Sequence, residues 1–184
     1  RPNSLIDRVA LFLSVAGQAM PSFWFGLILI VVFAIQLGWL PPSGASTPAH
    51  FIMPTIVLGY YAMPAIMRLT RAGMLDVLNS DYIRTARAKG APEGRVLFRH
   101  ALRNAIIPVV SLAAVQMGFM LGGSIVVESI FALHGAGYLA WESIARNDLP
   151  TVQALILVFS MFYIVFTFLA DVLNAWLDPR MRSS

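Results

Sequence analysis

Four apolar tracts, separated by segments into which the charges are gathered, organise this chain. Val9 to Leu37 is interrupted only by small or uncharged polar residues and by Pro21, and Phe51 to Met67 is shorter and holds Pro54 and Pro64. Ala105 to Val127 contains Pro108 and the glycines Gly118, Gly122 and Gly123, and Val152 to Ala170 stops against Asp171. A helix crossing the hydrocarbon core of a bilayer needs about 20 mostly apolar residues. Three tracts reach that length and the second is at its lower edge. Proline and glycine suit membrane helices, where neighbouring helices re-satisfy the freed backbone groups. The pattern predicts an all-α fold, a polytopic transmembrane helical bundle forming one domain over 1–184. Its spans are expected at about 9–37, 51–69, 105–127 and 152–174, joined by segments 38–50, 72–104 and 128–151.

Composition agrees: 58% of residues are hydrophobic and 12% charged, against about 25% charged in soluble domains. The distribution of the 13 Lys and Arg residues orients the spans. Arg1 and Arg8 flank the start of the first tract, eight cations fall between the second and third, Arg146 lies between the third and fourth, and Arg180 and Arg182 close the chain. Under the positive-inside rule both ends and the 72–104 segment are cytoplasmic, while 38–50 and 128–151 face outward. The basic excess flanks membrane segments, and there is no separate soluble domain to present it, so nucleic acid is not an expected partner. Cysteine is absent, which excludes disulfides and thiolate metal sites. His50, His100 and His134 have no His, Asp or Glu at i+3 or i+4, so no zinc or nickel site is expected within the chain.

The 72–104 segment reads as folded. Asn79-Ser80 offers an N-cap, and Asp81 places a carboxylate at the positive end of the helix that follows. Tyr82 to Lys89 runs without a breaker, Arg87 and Lys89 fall in its last turn, Gly90 suits the C′ position and Pro92 blocks continuation. A helix of about ten residues, roughly 15 Å long, is expected. Pro92 and Glu93 then open a second helix that carries Arg95, Arg99, His100 and Arg103 to the membrane entry at Asn104. Helices this short are marginal alone in water, so another surface must help hold them.

The run Asp81-Tyr82-Ile83-Arg84-Thr85-Ala86-Arg87-Ala88-Lys89-Gly90, followed by His100-Ala101-Leu102-Arg103-Asn104-Ala105-Ile106-Ile107-Pro108, resembles the coupling loop of binding-protein-dependent ABC importer permeases. The branch it resembles transports dipeptides, oligopeptides, glutathione or nickel. Met20-Pro21-Ser22-Phe23-Trp24-Phe25-Gly26 resembles that family's third span, and Leu40-Pro41-Pro42-Ser43-Gly44 the loop after it. Arg68-Leu69-Thr70-Arg71, Glu128-Ser129-Ile130-Phe131 and Asp178-Pro179-Arg180 resemble the fourth-span exit, the fifth-span exit and the C-terminus. The glutamate and closing proline of the wider superfamily's loop motif are absent, as is usual in the peptide and nickel branch. Ala132 to Gly137 stands where a Trp-Pro-Gly-containing run is common.

The resemblance implies a C-terminal four-span portion, spans three to six, of a bacterial inner-membrane permease. Its partners would be a second permease subunit in a heterodimer, cytoplasmic ATP-binding subunits, an external substrate-binding protein and the lipid bilayer. ATP and Mg would bind in the partner ATPase, since no Gly-x-x-x-x-Gly-Lys-[Ser/Thr] occurs in this chain and no cofactor is expected on it. Coupling would run through Asp81, Tyr82, Arg84, Thr85, Ala86, Arg87, Ala88, Lys89 and Gly90. Ser111, Gln116, Ser124 and Glu128 are candidates for lining the translocation path, with interhelical hydrogen bonding as the competing role of the first three. Glu128 and Asp171 sit at span edges, where an ionisable group is a functional candidate or a simple boundary marker. An intramembrane enzyme would need two such acids to meet, and they fall at opposite faces. An ion-coupled secondary transporter would show internal repeats and a mid-membrane ionisable residue, and neither is evident.

Overall fold

The computed structural model describes residues 4–177, which places Arg1, Arg180, Arg182 and the Asp178-Pro179-Arg180 motif outside the described residues. The described residues are mainly helical and contain no strand. The helices are α1 (Leu5–Ala19), α2 (Ser22–Gln36), α3 (Ile52–Leu78), α4 (Asp81–Ala88), α5 (Glu93–Ala105), α6 (Ile107–Ile130), α7 (Ala136–Ala145) and α8 (Leu149–Leu177).

The first apolar tract is not one helix. It breaks at Met20–Pro21, because Pro21 has no N–H to donate and its backbone is extended, at φ −61°, ψ 138°. α1 and α2 nevertheless act in sequence along one neighbour. Asp7 meets Arg71, Ser14 Oγ donates to the Pro64 carbonyl at 3.4 Å, and the Phe25 and Tyr60 rings lie 4.6 Å apart. Ascending positions on α1–α2 therefore meet descending positions on α3, and the broken pair runs antiparallel along it. α2 is α-helical to Leu29 and a π-helix over Ile30–Gln36. At 15 residues it reaches only about 22 Å by itself.

Among the described residues two helices are long and apolar enough to cross a bilayer unaided, Pro48–Leu78 with its leading 3₁₀ turn and α8, and α5 with α6 would make a third span bent by 51°. α3 overruns the expected 51–69 span by nine residues, to Leu78, because no breaker occurs before Asn79-Ser80. The first turns of the 72–104 segment are therefore helix. α6 starts at Ile107, two residues after the expected 105, since the chain bends at Ile106. The 128–151 segment holds α7. Before α8, Asp148 caps the helix through Thr151, accepting from its hydroxyl at 2.6 Å and its backbone N–H at 3.2 Å. Those two bonds hold the Asp148 carboxyl below its usual range, so the cap is intact at neutral pH and is lost as pH falls through that lowered pKa.

Leu29, Met53, Val57, Val127 and Phe131 form the main core, joining α2, α3 and α6. The most extensive pairing is α6 with α8. Lipid offers little hydrophobic drive for helix association, so close packing by small residues and interhelical hydrogen bonds must supply it. Gly118 lies under the Tyr163 ring, Gly73 under the Ala105 carbonyl and Gly137 against Ser124 and Ile125. Asn174 Nδ2 donates to Ser111 Oγ at 2.7 Å across α6–α8. α8 buries only Ala170 and Asn174 and turns Leu157, Ile164 and Phe168 outward, a coat suited to hydrocarbon.

Candidate functional site

The site is the folded segment between α3 and α6. Ser80 has the extended backbone of an N-cap, φ −74°, ψ 153°, but its hydroxyl donates to the Val77 carbonyl and leaves the α4 amides uncapped by a side chain. Asp81 occupies the first turn, pairs with Arg84 at 3.4 Å and is highly exposed. At the other end Gly90 adopts φ +78°. Its N–H donates to the Arg87 carbonyl at 2.9 Å, and that of Ala91 to the Ala86 carbonyl at 3.2 Å. This is a Schellman closure with glycine at C′, as the sequence pattern requires. Arg87 clamps Glu93 through Nε at 2.8 Å and Nη2 at 3.4 Å, tying the end of α4 to the start of α5. Pro92 is the N-cap of α5, with Glu93 as its first helical residue.

Ile83 seats the whole segment. It is 0% exposed, as are Val96 and Ala101 of α5, and Met74, Val77, Leu78 and Ala91 pack around them. The cluster joins the end of α3, α4 and the approach to α6. A second connection is polar: Asn104 Nδ2 donates to Tyr82 Oη at 2.8 Å, and Tyr82 Oη donates to the His100 carbonyl at 3.4 Å. Of α4 itself, Ile83 is buried, Ala86 half-buried, and Asp81, Tyr82, Arg84, Thr85, Arg87 and Ala88 exposed, as are Lys89 and Gly90 beyond it. Eight of the nine sequence-predicted residues are thus exposed and Ala86 is half-buried, on a helix and its C-terminal turn held by Ile83. α3 is further fixed to α1 by Arg71, whose Nε and Nη2 reach the Asp7 carboxylate at 2.7 and 2.8 Å.

The four candidate path residues do not share one surface. Gln116 lies in a groove of about 640 Å³ between α2, α3 and α6, with Ser22, Tyr61, Phe119 and Met120 among its walls. Ser111 is bound to Asn174 on the α8 side. Ser124 donates to Glu128 at 2.8 Å, and the Glu128 carboxylate accepts the Tyr138 backbone N–H at 2.6 Å. Glu128 therefore caps the first turn of α7, where a negative charge meets the positive end of the helix. Gly135 leaves room for it, since a Cβ there would sit 2.8 Å from the carboxyl carbon. Five residues of α-helix turn about 140° relative to one face, which is why Ser111 and Gln116 diverge. Glu128 and Asp171 are also far apart. Asp171 lies one turn before Asn174, beside Ser111, and Ser111 is 17 residues, roughly 26 Å, from Glu128 along α6. No acid pair forms.

Sequence reasoning missed Ile83, hidden by its apolar type within a basic run, and Glu128 as a cap, because the helix it caps starts eight residues later. Asp7 with Arg71, 64 positions apart, carries no local signal.

A bundle of bilayer-length apolar helices with a compact basic segment folded between two of them defines a polytopic membrane protein. This chain belongs to the family described as binding-protein-dependent transport system inner membrane component, whose profile matches residues 1–183. It is 45% identical over 180 residues to a glutathione transport system permease protein of Pectobacterium atrosepticum and 46% identical to that of Escherichia coli K12. Each match covers 98% of this chain and 59% of the relative, so the chain spans well under two thirds of those proteins. Family membership makes it a non-catalytic, multi-pass component of the inner membrane.

Proposed function

We infer that this chain forms part of the translocation pathway of an ATP-binding cassette importer and receives force from a separate ATPase subunit through α4. In this reading both described ends of the α3–α6 connection face the cytoplasm, a second permease subunit completes the pathway, and an external binding protein delivers cargo. ATP and Mg belong to the partner ATPase. Small peptides are the cargo class, and the names of the relatives favour glutathione within it. Gln116, Ser22 and Tyr61 supply neutral hydrogen-bonding groups to this chain's side of the path.

One observation carries the proposal: α4 buries Ile83, half-buries Ala86 and exposes its other six residues. A helix seated by one buried side chain on two span ends moves with those spans, so a push on its outer face is transmitted to α3 and α6 together.

The test uses the full-length protein assembled with its partners. Arg84→Glu reverses a charge on the exposed face, where its pair with Asp81 contributes little stability. It should abolish co-purification of the ATPase subunit while insertion stays normal. Gly90→Val forces a β-branched residue to φ +78°, at a cost of about 1–2 kcal/mol, and should uncouple ATP hydrolysis from uptake. Unchanged uptake in both variants would contradict the docking role.

A further inference from the structure

We propose that α5 is an interfacial helix whose Arg95, Arg99 and Arg103 bind anionic phospholipid headgroups while Phe98 anchors in the adjoining acyl region. The three arginines and Phe98 are exposed, Phe98 at 74%. Among the described residues none of the three arginines takes part in an ion pair, and the one carboxylate on α5, Glu93, is held by Arg87.

Spacing and local geometry make them one stripe. In a regular α-helix positions i, i+4 and i+8 drift by about 40° per step. Val96–Ala101 is a π-helix, whose i→i+5 bonding puts more residues into each turn and reduces that drift. The same register turns Val96, Ala101 and Ala105 into the protein, where they are at most 1% exposed. Phe98 and Leu102 are left along a separate flank, so α5 carries a basic stripe, an apolar flank and a buried face.

Depth is consistent as well. Arg95 to Arg103 covers about 12 Å of helix axis. With α6 along the membrane normal, the 51° bend reduces this to roughly 8 Å of depth, close to one headgroup layer of about 5–8 Å. Basic stripes beside an exposed aromatic are the pattern of helices lying in the interface. This inference concerns a different face from the docking surface of α4, and each can fail without the other.

The experiment places a nitroxide on Phe98→Cys in the full transporter, reconstituted into nanodiscs of phosphatidylethanolamine with or without phosphatidylglycerol. Power saturation compares access of oxygen, which concentrates in the acyl region, with access of a water-soluble nickel chelate. We expect oxygen access severalfold above chelate access with phosphatidylglycerol, falling when that lipid is omitted or when all three arginines become Gln. Dominant chelate access would put the site in water. Low access to both would put it under a protein partner such as the ATPase. Either result overturns the proposal, as does oxygen access that ignores both the lipid and the arginines.

Discussion

Ile83→Ala in the full-length, assembled transporter is expected to leave membrane insertion intact and to eliminate cargo-stimulated ATP hydrolysis. Ile83 is completely buried against Val96, Ala101, Met74, Val77, Leu78 and Ala91. Truncating a buried isoleucine to alanine costs about 2–5 kcal/mol. α4 has eight residues, too few to be stable alone, and its side-chain hydrogen bonds to neighbouring elements, from Tyr82 and Arg87, are exposed. A loss of that size is comparable with the whole local stability of such a unit. α4 should therefore detach while the spans, held by contacts elsewhere, persist. Trypsin sensitivity at Arg84, Arg87 and Lys89 reads the detachment directly. Ile83→Val, which removes one methylene for about 0.5–1.5 kcal/mol, should retain most activity. If Ile83→Ala remained protease-resistant and fully stimulated, the buried seat would not be what holds α4.

Gly118→Val is expected to produce the largest loss of bundle stability among the glycine positions. A Cβ at Gly118 would lie 2.2 Å from Tyr163 Cδ2 and 2.9 Å from Cε2, so α6 and α8 must separate or the ring must leave. Overpacking of this kind costs about 1–3 kcal/mol. Thermal unfolding of the purified protein should show the loss, and Tyr163→Ala should restore part of it in the double variant, with a coupling of about 0.5–3 kcal/mol. Gly122→Ala is the control. It lies one turn further along the same helix with nothing within 4 Å of its added Cβ, and should be close to neutral. Equal effects at 118 and 122 would show that helix propensity, and not the Tyr163 contact, governs the site.

Most of the helical content could be read from the apolar tracts because their length and breakers act locally. The α4 boundaries followed from Asp81, Gly90 and Pro92, whose effects reach only one turn, and the structure keeps Asp81 in the first turn and Gly90 at C′. Where the reading failed, the deciding contact was distant in sequence or the competing geometry was subtle. Pro21 lies inside an otherwise unbroken apolar tract, yet it breaks the helix, and α3 supplies the continuity along which both halves pack. Ser80 has cap geometry but spends its hydroxyl on Val77. Glu128 looked like a residue at a membrane edge, and only the fold brings the Tyr138 amide to it. The π-helix at Val96–Ala101 has no breaker residue to announce it.

The most direct measurement is site-specific cross-linking from α4 in the assembled full-length transporter. Thr85 is exposed at the centre of the helix, and this chain contains no cysteine to compete with one introduced there. Thr85→Cys should cross-link to the ATPase subunit, with a yield that changes when ATP binds, and should resist membrane-impermeant thiol reagents in intact cells. Labelling of that position from outside the cell, or its failure to reach the ATPase in any nucleotide state, would contradict the account.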